Sequence, residues 1–344
     1  MMAEFDGQVL FMIPNDLDHG AQNFFRRLAK SFKVKNKLLF IESNEGNFIA
    51  RINKIFQLSK NKKLFIFSTV NSNKFALLIK ILIPSITIIP RLGNTISLEL
   101  KKYSVEYYAH KLFYFCLLCL SRKFIFQSQV MEQDFKNFFH FKNNKKFIIL
   151  HNGIEHSTIE HGKASKLIAS NKKIFLLVGT FKFQKGYEIF FNSLEHVSNE
   201  IMTNSEFHIC GDGDELYSWA RFMETHKYKK HVIFHGMVNP TKFYQSSHAY
   251  ILPSRFEGFS NSLIEALSFG LPCLVSDCPS ANREVIAEYQ NGIFFKNLDS
   301  KDLAKKIGEI YHNLHKFDNK LIIKNLYDRF SIDKISDKYM KLIM

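Results

Sequence analysis

An α/β fold built from two parallel-sheet domains is what the sequence predicts, and three observations carry that prediction. The chain has 344 residues, too many for one small core and a good fit for two domains. Short, nearly continuous apolar runs alternate with helical patterns in both halves, as strands buried on both faces of a parallel sheet do. Between the halves, residues 151–171 are polar and carry the clusters HNG and HGKAS, the composition of a linker.

In the first half the predicted strands fall at 8–13, 37–41, 63–68, 86–90 and 123–127, each β-branched or aromatic. Helical patterns over 21–32, 72–81 and 103–120 lie between them, giving βαβ alternation. The second half repeats the theme. Strands are predicted at 173–178, 206–210, 232–235, 250–253, 272–276 and 292–295, with helices at 187–197, 214–225, 241–246, 262–269 and 301–315. Residues 1–155 and 170–323 are thus the expected domains. The tail, 324–344, has a helical pattern and no strand partner.

Composition narrows the class. Apolar residues make up 46% of the chain, ample for globular folding, and the 36 phenylalanines among many Lys, Asn and Ile fit an AT-rich coding bias. Five cysteines, an odd number without a ladder of spacings, argue against a secreted disulfide framework. Cys116-x-x-Cys119 lies inside FYFCLLCL with no second pair at matching distance, so buried thiols and no structural zinc are expected. The opening MMAEFDGQVLFMIP lacks the basic region and cleavage site of a signal peptide. No apolar run reaches the ~18 residues of a membrane span, and a cytoplasmic location is expected.

The net charge of +15 is one-sided: residues 1–150 carry 23 Lys/Arg against 10 Asp/Glu, and the rest 24 against 22. A basic half predicts attraction to an anionic surface, acidic lipid or nucleic acid. A solvated lysine-rich face shaped by codon bias is the plainer alternative. Lys101, Lys102, Lys111, Arg122 and Lys123 bracket FYFCLLCL, so the helix over 103–120 is expected either to lie on a membrane surface or to pack between sheet and neighbour.

Four stretches could carry chemistry. Residues 254–277, SRFEGFSNSLIEALSFGLPCLVSD, hold Glu257 and Glu265 across a Gly-containing turn that leads into a helix. Strands on either side place that turn at the carboxyl edge of a parallel sheet, where ligands bind. Ser262 and Glu265 also match a capping box. That reading leaves Glu257, the Gly258 turn and the Pro253-Ser254 lead-in unexplained. The second stretch, VGTFKFQKG, is a strand ending in a Gly turn, with Thr180, Lys182 and Lys185 beyond it. Third, Asp18-His19-Gly20-Ala21-Gln22 opens a helix, and Gly20 lets the backbone approach a phosphate or sugar. Fourth, Pro90-Arg91-Leu92-Gly93-Asn94 ends a first-domain strand.

Glu257 and Glu265 resemble the Glu-x7-Glu segment of the family 4 retaining glycosyltransferases, bacterial surface-polysaccharide enzymes among them. VGTFKFQKG resembles that family's Gly-Arg-x4-Lys-Gly loop, with Lys185 at the lysine and Thr180 where the family has arginine. Lys182 or Arg255 would supply the missing charge, although Lys and Arg are not equivalent at a bidentate phosphate site. His19 stands where the family often has glycine. Near Arg91 and Asn94 many relatives carry a histidine that this chain lacks. Asn152-Gly153-Ile154, Gly211-Asp212-Gly213, Gly236-Met237-Val238, Asp277-Cys278-Pro279-Ser280 and Arg283-Glu284 agree in order with family segments.

The resemblance implies the GT-B fold: two Rossmann-like domains facing across a cleft, with a C-terminal helix crossing back to the first. It implies a retaining hexosyl or N-acetylhexosaminyl transferase using a nucleotide sugar, UDP-linked, and a glycan or lipid-linked glycan acceptor. Glu265 would hold the ribose and Glu257 the donor sugar. Lys185, Lys182, Thr180, Gly20, Val238 and the backbone of Gly258, Phe259 and Ser260 would surround the diphosphate and nucleotide. Arg91, Asn94 and His19 would meet the acceptor or sugar. No cofactor and no metal are implied, because Lys185 and backbone N–H groups take the place of Mg²⁺. The expected setting is the inner face of the membrane, with an acidic lipid surface as partner and no nucleic acid.

Three other readings compete with this one. A glycosidase pair would flank a bond at ~5 or ~6.5–9.5 Å, whereas here one carboxylate is in a loop and the other in the helix after it. A nucleotide-sugar epimerase or a phosphorylase would share the fold. A basic nucleic-acid-binding protein would fit the charge, but no aromatic RNA-binding motif or helix-turn-helix pattern is present.

Overall fold

The computed structural model describes residues 7–13, 20–32, 38–42, 47–60, 63–155 and 172–344. They form two compact units: the chain up to Glu155 together with Phe330–Met344, and the intervening stretch ending at Arg329. Residues 156–171 of the expected linker lie outside the described residues.

The first unit contains β1 (Gly7–Ile13), α1 (Gly20–Ser31), β2 (Leu38–Glu42), α2 (Phe48–Ser59), β3 (Lys63–Ser68), α3 (Asn73–Leu82), β4 (Thr87–Pro90), α4 (Val105–Leu120), β5 (Phe124–Phe126), α5 (Gln129–Phe139) and β6 (Phe147–Ile149). All its strand pairs are parallel, in the orders β2-β1-β3-β4 and β5-β6. A parallel bridge between Arg91 and Ile125 joins the two groups. Side chains alternate across the sheet as the pleat requires. Leu10 and Met12 enter the core beneath α3, α4 and α5, while Val9, Phe11 and Ile13 enter the opposite core beneath α1.

Helices α2 and α5 and strand β6 were not foreseen. The caps that start both helices are in the sequence: the Asn47 side chain accepts from the amides of Ile49 and Ala50, and Ser128 from Met131. Strand β6 is three residues long, too short to stand out by pattern. The expected buried CxxC also differs. Cys116 is half-buried and Cys119 exposed, because α4 turns Tyr107, Tyr114, Leu117 and Leu118 inward and leaves its other apolar face open.

The second unit contains β7 (Lys173–Val178), α6 (Tyr187–Ser193), α7 (Asn199–Thr203), β8 (Ser205–Cys210), α8 (Leu216–Thr225), β9 (Val232–Gly236), α9 (Thr241–Ser246), β10 (Ala249–Leu252), α10 (Asn261–Ser268), β11 (Cys273–Ser276), α11 (Asn282–Val285), β12 (Gly292–Phe295), α12 (Ser300–Asn313) and α13 (Asn319–Phe330). Its six strands are parallel in the order β12-β11-β10-β7-β8-β9.

The tail is two helices, not the one expected over 324–344. α13 stops at Phe330, and α14 (Ile332–Met340) starts anew with Ser331 as its cap. The return to the first unit therefore begins at Phe330 rather than 324. Ile332, Ile335, Tyr339 and Met340 join the core beside Phe11, Phe24 and Phe67. The crossing is stitched to the Asn152-Gly153-Ile154 segment: the Ile154 amide donates to Phe330 O at 2.9 Å, and the Ile332 amide to Ile154 O at 2.9 Å.

Gly153 makes that docking possible. A Cβ there would lie 2.8 Å from both Cα and Cδ1 of Ile332, closer than packed atoms tolerate. Gly153→Ala is expected to destabilise the first unit by about 1–3 kcal/mol through overpacking. Chemical denaturation should show a lower midpoint for that unit's transition, and an unchanged midpoint would refute the account.

Candidate active site

The strand order of the second sheet reverses at β7, which pairs with β8 on one side and β10 on the other. In open α/β sheets ligands bind at such a point, outside the carboxyl ends of the strands. The loop after β7 runs from Gly179 to Gly186, and the loop after β10 from Pro253 to Ser260. Both carry the residues singled out in the sequence.

These loops touch backbone to backbone. Gly186 has φ +65°, and a Cβ on it would lie 2.2 Å from the Pro253 carbonyl oxygen, so only glycine combines the left-handed turn with the close approach. The Arg255 amide donates to Gln184 O at 2.8 Å, and Gln184 Nε2 to Phe256 O at 3.2 Å. Behind the first loop, Phe181 stacks on Tyr187 at 3.9 Å, and the Tyr187 hydroxyl donates to Gly179 O at 2.8 Å.

The approach delivers Lys185 to Glu257, with Nζ to Oε1 at 2.6 Å. Glu257 is buried, at 5% exposure. Its carboxylate also accepts from Ser254 Oγ at 2.7 Å and, at 3.4 Å, from Gln184 Nε2. A carboxylate withdrawn from water needs such partners. Gln184 was not foreseen as a site residue, because an interior glutamine in a Phe-Lys-Phe-Gln-Lys run gives no signal of where its amide points.

Glu265 lies in α10 and is half-buried. The capping box does not form. The helix begins at Asn261 with Ser260 at the cap position, which places Ser262 inside it. The Ser262 hydroxyl instead accepts from Tyr250 OH at 2.8 Å, and the Glu265 carboxylate lies 3.4 Å from the Tyr244 hydroxyl. Burial first, and then Glu265 itself, hold the Tyr244 pKa well above the ordinary tyrosine value, so this hydroxyl stays a donor. Neither tyrosine stands out in the sequence, since both read as core aromatics.

Gly258, Phe259 and Ser260 form the turn into α10. The Phe259 ring is buried, so any ligand contact at this residue is through its backbone. Thr180 and Lys182 are exposed on the lip of the first loop. Arg255 is turned to other partners here: it pairs with Glu188 and lies over the Phe183 ring at 4.2 Å, lining a cavity of about 220 Å³ with Trp219. Val238 is partly exposed just beyond β9, where the Gly211 amide donates to Gly236 O at 2.8 Å.

The first-unit candidates fare differently. Gly20 is the first residue of α1, and His19 lies outside the described residues. Arg91 is not a surface contact. At 2% exposure, its guanidinium bonds the Asn152 side chain, lies 4.6 Å from the Phe24 ring centroid and neighbours Tyr339. Burial lowers its pKa and Tyr339 opposes the shift. Asn94 turns its amide onto Glu99 at 2.6 Å within its own loop.

On the second sheet, beside the β8 and β9 ends, His235 Nε2 and His208 Nδ1 lie 3.0 Å apart, and His208 Nε2 faces Glu206 at 3.3 Å. Burial above all, with His208 and then Lys242 adding to it, lowers the His235 pKa to about 4. Burial also lowers that of His208, against Glu206.

Comparison with known proteins bears on this geometry. Residues 158–325 match the family described as "Glycosyl transferases group 1". The chain is 30% identical to the lipopolysaccharide 1,6-galactosyltransferase of Salmonella typhimurium over 45% of its length and 45% of that protein's. It is 27% identical to the UDP-Gal:alpha-D-GlcNAc-diphosphoundecaprenol alpha-1,3-galactosyltransferase of Escherichia coli, over 51% of this chain and 47% of that one. These matches thus span about half the length of the curated relatives. The crystal structure of Anabaena HepE in complex with UDP superposes with a TM-score of 0.81 at 15% identity, covering 97% of this chain and 98% of that one. The fold is that of the GT-B glycosyltransferases.

Two measurements test the site's physics. Lys185→Met removes the cation from a buried carboxylate and is expected to cost about 2 kcal/mol, more than Glu257→Gln, which keeps hydrogen bonds to Ser254 and Lys185. Thermal melts in which Glu257→Gln is the more damaging would contradict this ordering. The second concerns acid. Both histidines titrate lower when folded, so the unfolded chain takes up their protons first. The stability they contribute is full above about pH 6.5 and falls as pH drops toward about 4. In urea titrations at several pH values, His235→Asn should flatten that decline, and an unaltered slope would remove His235 from the account.

Proposed function

We propose that this chain, a member of the glycosyl transferases group 1 family through residues 158–325, transfers a hexosyl or N-acetylhexosaminyl group from a UDP-sugar. The acceptor would be a lipid-linked or polysaccharide glycan of the cell surface, and the anomeric configuration would be retained. The observation that carries this reading is the Lys185–Glu257 contact at the strand-order reversal, beside the start of α10. The relatives' names support the setting, being those of lipopolysaccharide and undecaprenol-linked galactosyltransferases. The UDP bound to Anabaena HepE supports the base.

The chemistry follows from the charges. As the bond from the sugar C1 to the diphosphate oxygen breaks, negative charge builds on the leaving UDP. In this reading the Lys185 ammonium and backbone N–H groups at the start of α10 receive it. The acceptor hydroxyl bonds to C1 on the face the diphosphate leaves, and its proton passes to the departing phosphate oxygen. No protein nucleophile is assigned. Glu257, already engaged by Lys185 and Ser254, holds the donor sugar, while Glu265, steadied by Tyr244, takes the ribose hydroxyls. In this scheme the positive charge comes from the protein and not from a metal.

Thermal stabilisation across UDP-, GDP- and ADP-sugars tests the donor site. At ~10 Kd a bound ligand stabilises the native state by about 1.4 kcal/mol. A shift with UDP-sugars is expected, abolished in Glu265→Ala and Lys185→Ala. No shift with any nucleotide would overturn the proposal, and an inverted anomer in the product would overturn its stereochemistry.

A further inference from the structure

We infer that the cavity between Phe183, Arg255 and Trp219 is a subsite for one neutral pyranose ring of a glycan chain. Its volume is about 220 Å³, below the ~300–1,000 Å³ of drug-sized sites and in keeping with a single sugar. Both loops of the candidate active site supply its wall. Phe183 stands two residues before Lys185, and Arg255 two before Glu257. The loops thus turn one pair of side chains toward each other and the other pair to the cavity. The start of α8 closes it with Glu215, Ser218 and Trp219.

The lining has the chemistry of a sugar site. A pyranose offers an apolar C–H face to aromatic rings and a rim of hydroxyls, each donor and acceptor, to polar groups. Phe183 is 62% exposed. The Arg255 guanidinium lies 4.2 Å from its ring centroid and is itself held by Glu188. The Trp219 indole packs on Phe191 at 4.8 Å and also borders the cavity. Among the described residues, the Glu215 carboxylate, the Ser218 hydroxyl and the Trp219 Nε1–H have no hydrogen-bond partner. An acceptor, a hydroxyl and a donor therefore stand open beside two aromatic rings. Charge excludes a phosphate as the occupant. The cavity has one cation, already paired with Glu188, against two carboxylates, so an anion meets net repulsion. A sugar hydroxyl, by contrast, donates well to a carboxylate. The subsite does not depend on the donor reading. Its use, holding a glycan acceptor while the chain is extended, rests on that reading.

Trp219 is the only tryptophan of the chain, so its fluorescence, excited where tyrosine does not absorb, reports on this cavity. The full chain is titrated with methyl α-glucoside, methyl α-galactoside and methyl N-acetyl-α-glucosaminide. Inorganic phosphate and tetralysine serve as the anionic and cationic controls. A saturable change with at least one glycoside, and with neither control, is expected. Phe183→Ala and Glu215→Ala should each weaken it at least about threefold. Both should melt with the wild type, since Phe183 is largely exposed and the Glu215 side chain bonds nothing in the protein. No saturable change with any glycoside would overturn the inference, as would unchanged affinity in either variant or a response to a control alone. Weakening by Glu257→Gln in place of Phe183→Ala would put the sugar in the donor site and overturn this inference alone. A failed UDP-sugar melt would leave the glycoside response standing.

Discussion

One backbone contact underlies the site. Gly186 passes so close to the Pro253 carbonyl that no side chain fits between them, and the contacts that join the two loops lie beside that approach. It sets Gln184 against Phe256, brings the Lys185 ammonium within 2.6 Å of Glu257, and removes Glu257 from water. The ion pair is thus a product of the fold's strand order. β7 and β10 are neighbours in the sheet although separated in sequence by β8 and β9, and the loops leaving them must either diverge or meet. Here they meet at a glycine.

The first unit uses its charge differently. Arg91 sits at a strand end, where a cation would suit a ligand, yet it serves the interior. It reaches Asn152 and Tyr339 and presses against Phe24. Burying a guanidinium is costly unless its neighbours compensate. These three neighbours come from distant stretches of chain: Phe24 from α1, Asn152 from the segment leaving the first unit, and Tyr339 from the returning helix α14. Arg91 therefore ties together parts of the chain that sequence keeps far apart. That physical role explains why it is unavailable to a glycan.

Much of the architecture was legible because parallel strands buried on both faces announce themselves. Every predicted strand has a counterpart within about two residues at each end, in line with the usual drift of boundaries. Helices α2 and α5 escaped because their apolar stripes are interrupted by polar residues, although Asn47 and Ser128 mark their starts. The terminal segment read as one helix because its periodicity barely breaks at Ser331. In the site, Lys185 and Glu257 were legible as types, but nothing in a linear chain says that they pair. Ser262 and Glu265 had the spacing of a cap without its register. A motif fixes which residues matter more readily than which atoms they touch, since contacts depend on how loops from separate strands converge.

The stitched return at Phe330 has a consequence for how the molecule is made. The second unit is contiguous in sequence, from just after Glu155 to Arg329, and draws nothing from outside that span for its sheet. The first unit is split. Its core over Phe11, Phe24 and Phe67 is closed by Ile335, Tyr339 and Met340, which leave the ribosome after the whole second unit. A chain emerging from its N-terminus must therefore carry an open aromatic face through the synthesis of the entire second unit. The half translated first is completed only after the second, and until α14 arrives the side chains that Ile335, Tyr339 and Met340 cover have no such partners.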